Sequence, residues 1–196
     1  NAPTMEKRRI ILGITGASAV IYGIRLLQEL KKRPDVETHL ILSRAAGVTI
    51  RLECPEWELE AVRALADVAH KEMDIAASIA SGSFPVEAMV VVPASMKTVA
   101  QIATGTGETL LHRAADVTLK ERRPLIVVPR ETPMHLGHLR NLTTLAELGA
   151  VIVPPMVAFY QKPETLDDMI DHTVGKLLDL LRVEHDLYRR WEGPET

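Results

Sequence analysis

Short, almost uninterrupted apolar segments alternate along this sequence with longer segments in which apolar residues recur every three or four positions. The apolar segments predict buried strands, and the periodic segments predict amphipathic helices. Strands that are buried on both faces and separated by helices are typical of a parallel sheet covered on both sides. We therefore expect an α/β fold, a Rossmann-like or flavodoxin-like three-layer sandwich with a mainly parallel sheet.

The same periodicity predicts where the elements begin and end. Strands are expected at 9–15, 36–42, 88–92, 125–128 and 150–153. Helices are expected at 20–30, 43–53, 56–69, 95–104, 110–121, 136–148 and from Thr165 to about Leu181. Thr165 and Asp168 have the spacing of a capping box, which favours a helix start at that point.

Length and charge limit the classes of function. A chain of 196 residues with 46% hydrophobic content fits a single domain over 1–196. The net charge of −3, with basic residues scattered among acidic ones, argues against binding to nucleic acid or to a membrane surface. A single cysteine, Cys54, excludes an internal disulfide. With no apolar run of membrane-spanning length, we expect a cytoplasmic protein.

In a parallel sheet, ligands bind at the carboxyl ends of the strands. The first strand ends in GITGAS, 13–18, and a helix follows at once. Free backbone N–H groups at such a helix start form a cradle for an anion such as phosphate. A simple tight turn is the alternative, since the segment matches neither the full dinucleotide fingerprint nor a P-loop.

Other predicted strand ends carry small hydroxyl side chains or charges. Serines lie at Ser43, at Ser81 and Ser83, and at Ser95, and each could instead be a helix N-cap. The fourth strand ends in Arg130 and Glu131, for which a solvent-exposed ion pair is the alternative. Their recurrence at strand ends favours a ligand site at one edge of the sheet.

Two further pairs of residues have a spacing that could serve a binding site. Arg113 and Lys120 lie seven residues apart on one predicted helix, so both could face a second phosphate or simply face solvent. His135 and His138 have a spacing that could hold a metal, but no third ligand lies nearby in sequence, and we expect no metal site.

Taken together, these segments resemble the UbiX-type flavin prenyltransferases, a family that includes proteins associated with phenylacrylic acid decarboxylases. The resemblance covers nearly the whole chain. It rests on GITGAS at 13–18, SGSF at 81–84, SMKT at 95–98, RAADVTLKERRPL at 113–125, PRETP at 129–133, PPMVAFY at 154–160 and RRW at 189–191.

The resemblance implies that the chain transfers the dimethylallyl group of dimethylallyl phosphate to N5 and C6 of reduced FMN. It further implies a UbiD-type decarboxylase as recipient of the product, and a homo-oligomer, expected to be a dodecamer. Residues 1–8 would then be a flexible N-terminus and residues 183–196 a C-terminal oligomerisation arm. The implied FMN contacts are Gly16, Ala17, Ser18, Ser43, Ser95, Met96, Lys97, Thr98 and Arg130; the implied substrate contacts are Arg113, Lys120, Tyr160, Lys176 and Trp191; the implied catalytic residues are Ser18, Glu53, Lys120 and Glu131.

Two positions depart from the family pattern. Lys176 stands where the family usually has arginine, and it keeps the charge but loses the two-pronged geometry of a guanidinium. Ala19 replaces a common glycine, and an alanine there would strain the loop if the position needs a positive φ.

Two other functions are alternatives to flavin prenyl transfer. The first is an FMN-dependent cysteine decarboxylase of the same superfamily, whose histidine and substrate-clamp motifs cannot be placed in this chain. The second is a non-enzymatic flavin carrier, which would be expected to hold the flavin between aromatic rings. Only 4% of the residues are Phe, Trp or Tyr, which disfavours that alternative.

Overall fold

A six-stranded parallel sheet forms the middle layer of the molecule. The structure, a computed structural model, describes residues 6–193. The strands lie in the order β3-β2-β1-β4-β5-β6, and all neighbouring pairs are parallel. This order confirms the expected Rossmann-like α/β fold. The strands are β1 Arg8–Ile14, β2 Val36–Leu42, β3 Val68–His70, β4 Ala88–Ala94, β5 Leu125–Pro129 and β6 Val151–Ile152.

Helices cover both faces of the sheet. Alternate strand residues face opposite sides, so Ile10 and Leu12 of β1 pack in one core while Ile11 packs in the other. The first core includes residues of α1, α2 and α7, and the second includes residues of α4, α5 and α6. The helices are α1 Ile21–Lys31, α2 Arg44–Glu53, α3 Leu59–Arg63, α4 Met96–Thr104, α5 Leu110–Lys120, α6 Leu136–Glu147 and α7 Leu166–Leu180, with single 3-10 turns at Ser78–Ala80 and Phe159–Gln161.

One predicted helix is wrong. The segment 56–69 is not a single helix, because α3 ends at Arg63 and the chain then forms the short edge strand β3. The Asp67 carboxylate accepts hydrogen bonds from the backbone N–H of Thr38 at 2.8 Å and from its hydroxyl at 3.1 Å. These bonds attach the segment to β2, and a strand of three residues is too short to show a period of two.

The last helix begins as its sequence predicts. The Thr165 hydroxyl accepts a hydrogen bond from the Asp168 N–H at 3.1 Å, and the Asp168 carboxylate accepts one from the Thr165 N–H at 3.0 Å, which completes a capping box. Arg25 of α1 is ion-paired to Asp167 and Asp171 of α7. The pairs fix α7 beside α1. No helix in residues 6–193 is both long and apolar enough to cross a membrane.

The prediction of a flexible N-terminus over 1–8 is wrong at Arg8. Arg8, which was expected to be flexible, is the first residue of β1, and its guanidinium is paired with Glu87 at 2.5 Å and donates to the Leu181 carbonyl at 2.6 Å. Residues 1–5 lie outside the described part of the chain. The first strand therefore begins earlier than expected, because the ion pair with Glu87 and the end of α7 both hold Arg8 in place.

The C-terminal segment 183–193 is attached to α7 through one carboxylate. Asp179 accepts hydrogen bonds from the Tyr188 hydroxyl, from His185 Nε2 at 2.9 Å and from the Arg190 guanidinium at 2.8 Å. Partial burial acts to raise the pKa of Asp179, but the hydrogen bonds from Arg190, Tyr188 and His185 outweigh it and lower the pKa well below the ordinary value. Burial and the Asp179 carboxylate raise the pKa of Tyr188 to about 12.

Asp179→Asn is expected to lower the free energy of unfolding by about 1–3 kcal/mol at pH 7, because charge-assisted bonds are lost. Since the folded pKa is depressed, this stabilisation is present above the unfolded pKa of about 4 and is lost as pH falls through the folded pKa. Urea unfolding of the wild type and of Asp179→Asn at pH 7 and at low pH measures the difference in their free energies of unfolding. This difference should become smaller on acidification. Asp186→Asn, an exposed carboxylate on the same segment, should show little effect at either pH.

Candidate functional site

A single threonine joins the carboxyl ends of the two central strands. The order of strands reverses between β1 and β4, and in such sheets the crevice at the reversal is where ligands bind. The buried Thr15 hydroxyl donates a hydrogen bond to the Pro93 carbonyl at 2.7 Å and accepts one from the Ser95 N–H at 2.9 Å. The loop after β1 and the start of α4 are therefore held together.

A cavity of about 250 Å³ opens at this junction. Polar side chains and backbone groups from the ends of β1, β2, β3 and β4 meet there, together with the start of α5. Its lining is Thr15, Gly16, Ser43, Ala45, Glu72, Ser95, Lys97, Thr98, Gln101, Thr109, Leu111 and His112. The predicted grouping of Gly16, Ser43 and the segment from Ser95 to Thr98 at one edge is found in the structure.

The two serines that line the cavity also cap helices. Ser43 Oγ accepts from the Ala46 N–H at 3.0 Å, and Ser95 Oγ accepts from the Thr98 N–H at 3.2 Å. The N-cap alternative is therefore correct for both, and it does not exclude ligand binding. Capping places the positive ends of α2 and α4 at the cavity, where they favour an anionic group such as a flavin phosphate.

The loop after β1 lies directly on α2. A Cβ at Gly16 would come within 2.5 Å of the Ala45 Cβ, so only glycine fits there. Glu53, at the end of α2, accepts from the Ala19 N–H at 2.8 Å. This contact brings a predicted catalytic carboxylate next to the exposed Ser18.

Arg130 and Glu131 follow β5 at the same edge of the sheet, and both side chains are exposed. The Arg130 N–H donates to the Ala94 carbonyl at 3.3 Å, which aligns this loop with the end of β4. Glu131 accepts from the Thr132 N–H at 3.1 Å. In the part of the chain that the structure describes, no ion pair joins Arg130 to Glu131, so the ion-pair alternative is not what holds them there.

Two cavity residues were missed by sequence reasoning. The Glu72 carboxylate accepts a hydrogen bond from the Arg44 N–H at 2.9 Å. Glu72 follows β3, and because 56–69 was wrongly predicted as one helix, its position after a strand was not recognised. His112 accepts from the Thr109 N–H at 3.3 Å, and burial, with help from Lys97, lowers its pKa. The spacing of Thr109 and His112 at a helix start was the available signal for the second residue.

The structure does not bring Arg113 and Lys120 into this cavity. Arg113 donates to the Ala80 carbonyl at 3.2 Å and pairs with Asp116 at 3.1 Å, whereas Lys120 pairs with Glu121 at 2.7 Å. Lys120 ends α5, roughly 15 Å along the helix axis from Leu110, which begins it. Neither cation therefore lines the cavity of its own chain, and Lys120 lies at the far end of α5 from it.

The serines at 81 and 83 were placed at the wrong edge of the sheet. The Gly82 carbonyl accepts from Arg123, which precedes β5, and the Pro85 carbonyl accepts from Arg9 near the start of β1. A Cβ on Gly82 would come within 2.8 Å of Lys120 Nζ. This loop therefore lies beside Lys120 at the amino edge, because it precedes a strand and does not follow one.

Two predicted substrate contacts, Tyr160 and Trp191, meet two other aromatic side chains beside the middle of α7. The rings of Tyr160 and Trp191 are 6.0 Å apart and nearly perpendicular, and the ring of Tyr160 is 6.4 Å from that of His172. His172 also lies 5.1 Å from Tyr188. We call these four residues the aromatic cluster. Lys176 lies one helical turn after His172, and its charge contributes to the lowered pKa of that histidine.

His135 and His138 stack with ring centroids 3.5 Å apart. His135 Nδ1 accepts from the His138 N–H at 3.2 Å and so caps α6. The described residues contain no group of three side chains suited to a metal ion. The pair therefore has a structural explanation in the start of this helix.

Comparison with known proteins identifies the family. The Flavoprotein family model matches residues 1–181. The flavin prenyltransferase UbiX of Escherichia coli strain K12 is 54% identical over 188 residues, which cover 95% of this chain and 99% of the relative. The chain belongs to the UbiX family of flavin prenyltransferases.

Solved structures agree with this assignment. A UbiX protein named AnUbiX (PadA1), crystallised with FMN and dimethylallyl pyrophosphate, superposes with a TM-score of 0.94 at 46% identity, covering 97% of this chain and all of that one. A dodecameric FMN-dependent UbiX-like decarboxylase from Escherichia coli O157:H7 gives 0.92 at 49% identity, covering 94% of this chain and 100% of that one. The similarity to the UbiX family thus extends over the whole fold.

The departure from the UbiX pattern at Ala19 has a structural consequence. Ala19 has φ of 76°, in the left-handed region that disfavours residues with a Cβ by roughly 1–2 kcal/mol. The bond from its N–H to Glu53 and the packing of Gly16 on α2 keep the loop in place. The loop is therefore strained at Ala19, the position at which the resemblance leads us to expect glycine.

Ala19→Gly is expected to raise the free energy of unfolding by about 0.5–1 kcal/mol, since relief of the strain exceeds the entropic cost of glycine. Thermal unfolding monitored by circular dichroism measures the change. Ala17→Gly is the matched control, because Ala17 lies in the same loop without a positive φ and should lose stability. Equal losses in both variants would contradict strain at Ala19.

Proposed function

We propose that this chain joins the dimethylallyl group of dimethylallyl phosphate to N5 and C6 of reduced FMN and so makes prenylated FMN. The observation that carries the proposal is 54% identity over 95% of the chain to a flavin prenyltransferase. The polar cavity at the strand reversal supplies a place for the flavin. The reaction is an alkyl transfer, and both FMN and the prenyl phosphate are substrates.

The flavin phosphate fits the positive helix ends at the cavity. The N–H groups at the start of α4, from Met96 and Lys97, follow the Ser95 cap, and a bound phosphate would accept hydrogen bonds from them. We assign FMN binding to these groups together with Gly16, Ala17, Ser18, Ser43, Thr98 and the exposed Arg130. The Ser95 hydroxyl donates to the Thr98 hydroxyl at 2.9 Å, so the two groups lie side by side in the cavity lining.

The leaving phosphate needs cations elsewhere. As the bond to the allylic carbon breaks, negative charge develops on the phosphate, and fixed cations stabilise it without a metal ion. We assign this role to Arg113 and Lys120, together with Tyr160 and Lys176. Trp191 beside Tyr160 offers a π face to the developing allylic cation, an interaction of up to about 2 kcal/mol in a dry site.

We further propose that these cations serve the flavin of a neighbouring copy of the chain. Lys120 lies roughly 15 Å along α5 from the end of the helix that reaches the cavity, so it cannot act on a flavin bound by its own copy. A related UbiX-like protein is a dodecamer. Large apolar side chains exposed on a single copy support self-association; they include Leu52, Met156, Phe159, Leu166 and Trp191.

Two carboxylates have positions suited to proton transfer. N5 of the reduced flavin attacks the allylic carbon, the C–O bond to the phosphate breaks, and the proton on N5 passes to the departing phosphate. Ring closure requires that this proton be added to the prenyl double bond, after which C6 attacks the tertiary carbon and loses its own proton. Glu131, exposed beside Arg130 at the carboxyl edge, is the proposed acceptor of that proton. Glu53, held by the Ala19 N–H next to Ser18, would orient the hydroxyl of Ser18 at the reacting end of the flavin.

The product would pass to a UbiD-type decarboxylase, and the cytoplasm is the proposed location. The rival function, an FMN-dependent cysteine decarboxylase, is disfavoured by identity to flavin prenyltransferases across the whole chain. A flavin carrier without activity is disfavoured by the cavity lining, in which hydroxyl and charged side chains replace aromatic walls.

The direct test is a mass measurement. Protein, reduced FMN and dimethylallyl phosphate should yield a flavin heavier by one C5 unit, because the phosphate is lost and the allyl group is retained. Anaerobic incubation followed by mass spectrometry of the released flavin measures it, with dimethylallyl pyrophosphate in a parallel sample. Unmodified FMN in both samples would reject the transferase function.

Subunit complementation tests where Lys120 acts. Arg130→Ala should weaken FMN binding, whereas Lys120→Ala should slow prenyl transfer about a hundredfold while leaving FMN affinity nearly unchanged, since it acts on the developing charge. Co-expressed with different tags and purified as mixed oligomers, the two variants should recover up to about a quarter of wild-type activity, because random mixing leaves that share of sites intact.

If Lys120 served its own copy's flavin, no mixed site would contain both native residues, and activity would stay at the level of the single variants. Wild-type chains carrying the same two tags are the control for the purification. Equal loss of FMN affinity and rate in Lys120→Ala would instead mean that the residue is structural.

A further inference from the structure

His172 is the residue that connects the predicted prenyl phosphate contacts on this chain. It lies on α7, one turn before Lys176, and its ring meets Tyr160 edge-on at 6.4 Å. Tyr160 in turn meets Trp191 at 6.0 Å. Tyr160, Trp191 and Lys176 were predicted as substrate contacts and His172 was not, although it lies four positions before Lys176 and so on the same face of a helix.

The hydrogen bonding of His172 is incomplete. Its Nδ1 is buried and has no hydrogen-bond partner among residues 6–193. By contrast, His185 on the adjoining segment is bonded to Asp179 at 2.9 Å. A buried ring nitrogen without a partner is costly, by about 1–3 kcal/mol, and in native proteins it commonly marks a functional role.

The charges around His172 explain its protonation state. Burial and the charge of Lys176 both lower its pKa, so the ring is neutral near pH 7. The groups that face it come from three elements. Lys176 and Asp168 lie on α7, Tyr160, Lys162 and Glu164 on the 3-10 turn and the loop after it, and Tyr188 and Arg189 on the C-terminal segment.

His172 also lines a cavity of about 290 Å³ between that loop and the C-terminal segment. A phosphate dianion bound beside Lys176 would offset the repulsion between the lysine and a protonated imidazole. An imidazolium would then donate a charge-assisted hydrogen bond, stronger than the one a neutral ring could give. Binding of the anion and protonation of the ring would thus favour each other.

We propose that His172 is a further substrate-binding residue, which takes up a proton when the phosphate of the allylic substrate binds at Tyr160 and Lys176 and then contacts that phosphate. The proposal rests on the proposed function, since it deepens the same phosphate subsite. Protonated His172 would be a second cationic hydrogen-bond donor to the phosphate. It would complement Lys176, whose ammonium group is a single point charge.

Proton uptake on binding measures this directly. Protein loaded with oxidised FMN, whose N5 is not a nucleophile, is titrated with dimethylallyl phosphate by calorimetry near pH 6.5 in buffers of different ionisation enthalpy. Wild type should take up a measurable fraction of a proton per site more than His172→Gln or His172→Phe, because the bound anion raises the pKa that burial and Lys176 lower in the free protein. Because the substrate phosphate titrates equally in all samples, the difference isolates His172.

Kinetics give a second measurement. With reduced FMN, KM for dimethylallyl phosphate should rise about tenfold in His172→Gln at pH 6, and less at pH 8, while kcat changes little. His172→Phe keeps the ring packing without a titrating group, so agreement between the two variants separates charge from packing. If one variant does not fold, the other still gives the result.

His138→Gln is the matched control, since His138 also has a buried Nδ1 without a partner but lies on α6 outside the aromatic cluster. It should keep the proton uptake of wild type. Proton uptake or a KM–pH profile unchanged by the His172 variants would overturn the proposal. Failure of the wild type to make prenylated FMN would reject the function itself, whereas product formation with unaltered proton uptake in the variants rejects only the role of His172.

Discussion

The position of the site depends on the hydrogen bonds of Thr15. Its hydroxyl bridges the carbonyl of Pro93 and the N–H of Ser95, and so joins the ends of two strands that neighbour each other only because the sheet reverses its order there. A buried hydroxyl with both functions satisfied fixes geometry more strictly than apolar packing, since each bond is directional. These two hydrogen bonds of Thr15 therefore help to orient the helix starts that border the cavity.

Much of the fold was predictable because βα units leave a strong signal. Each of the four longest strands contains a run of at least three apolar residues, and α7 has a continuous apolar stripe with a capping box at its start. β3 was not predictable, since three residues cannot show a periodicity and its attachment depends on Asp67 reaching a residue 29 positions earlier. Such a contact exists only once the sheet has formed.

The candidate site also contains some residues whose position was predictable from the sequence and others whose position was not. Gly16, Ser43 and Ser95 were predictable because each follows a strand, and strand ends of a parallel sheet share an edge. Ser81 and Ser83 precede a strand and so lie at the other edge, a distinction that residue type alone does not carry. Lys120 shows a further limit, since in the proposed function its flavin is bound by a different copy of the chain. The sequence of one chain does not show which residues of neighbouring copies come together.

The carboxylate of Asp179 organises the segment that carries Trp191 before any second copy is present. It accepts from Tyr188, His185 and Arg190, so the segment loses its freedom during folding of the single chain. In the proposed assembly, copies of such a chain would meet as nearly rigid bodies, with little ordering entropy left to oppose association. The surfaces that meet would have their shape before the encounter.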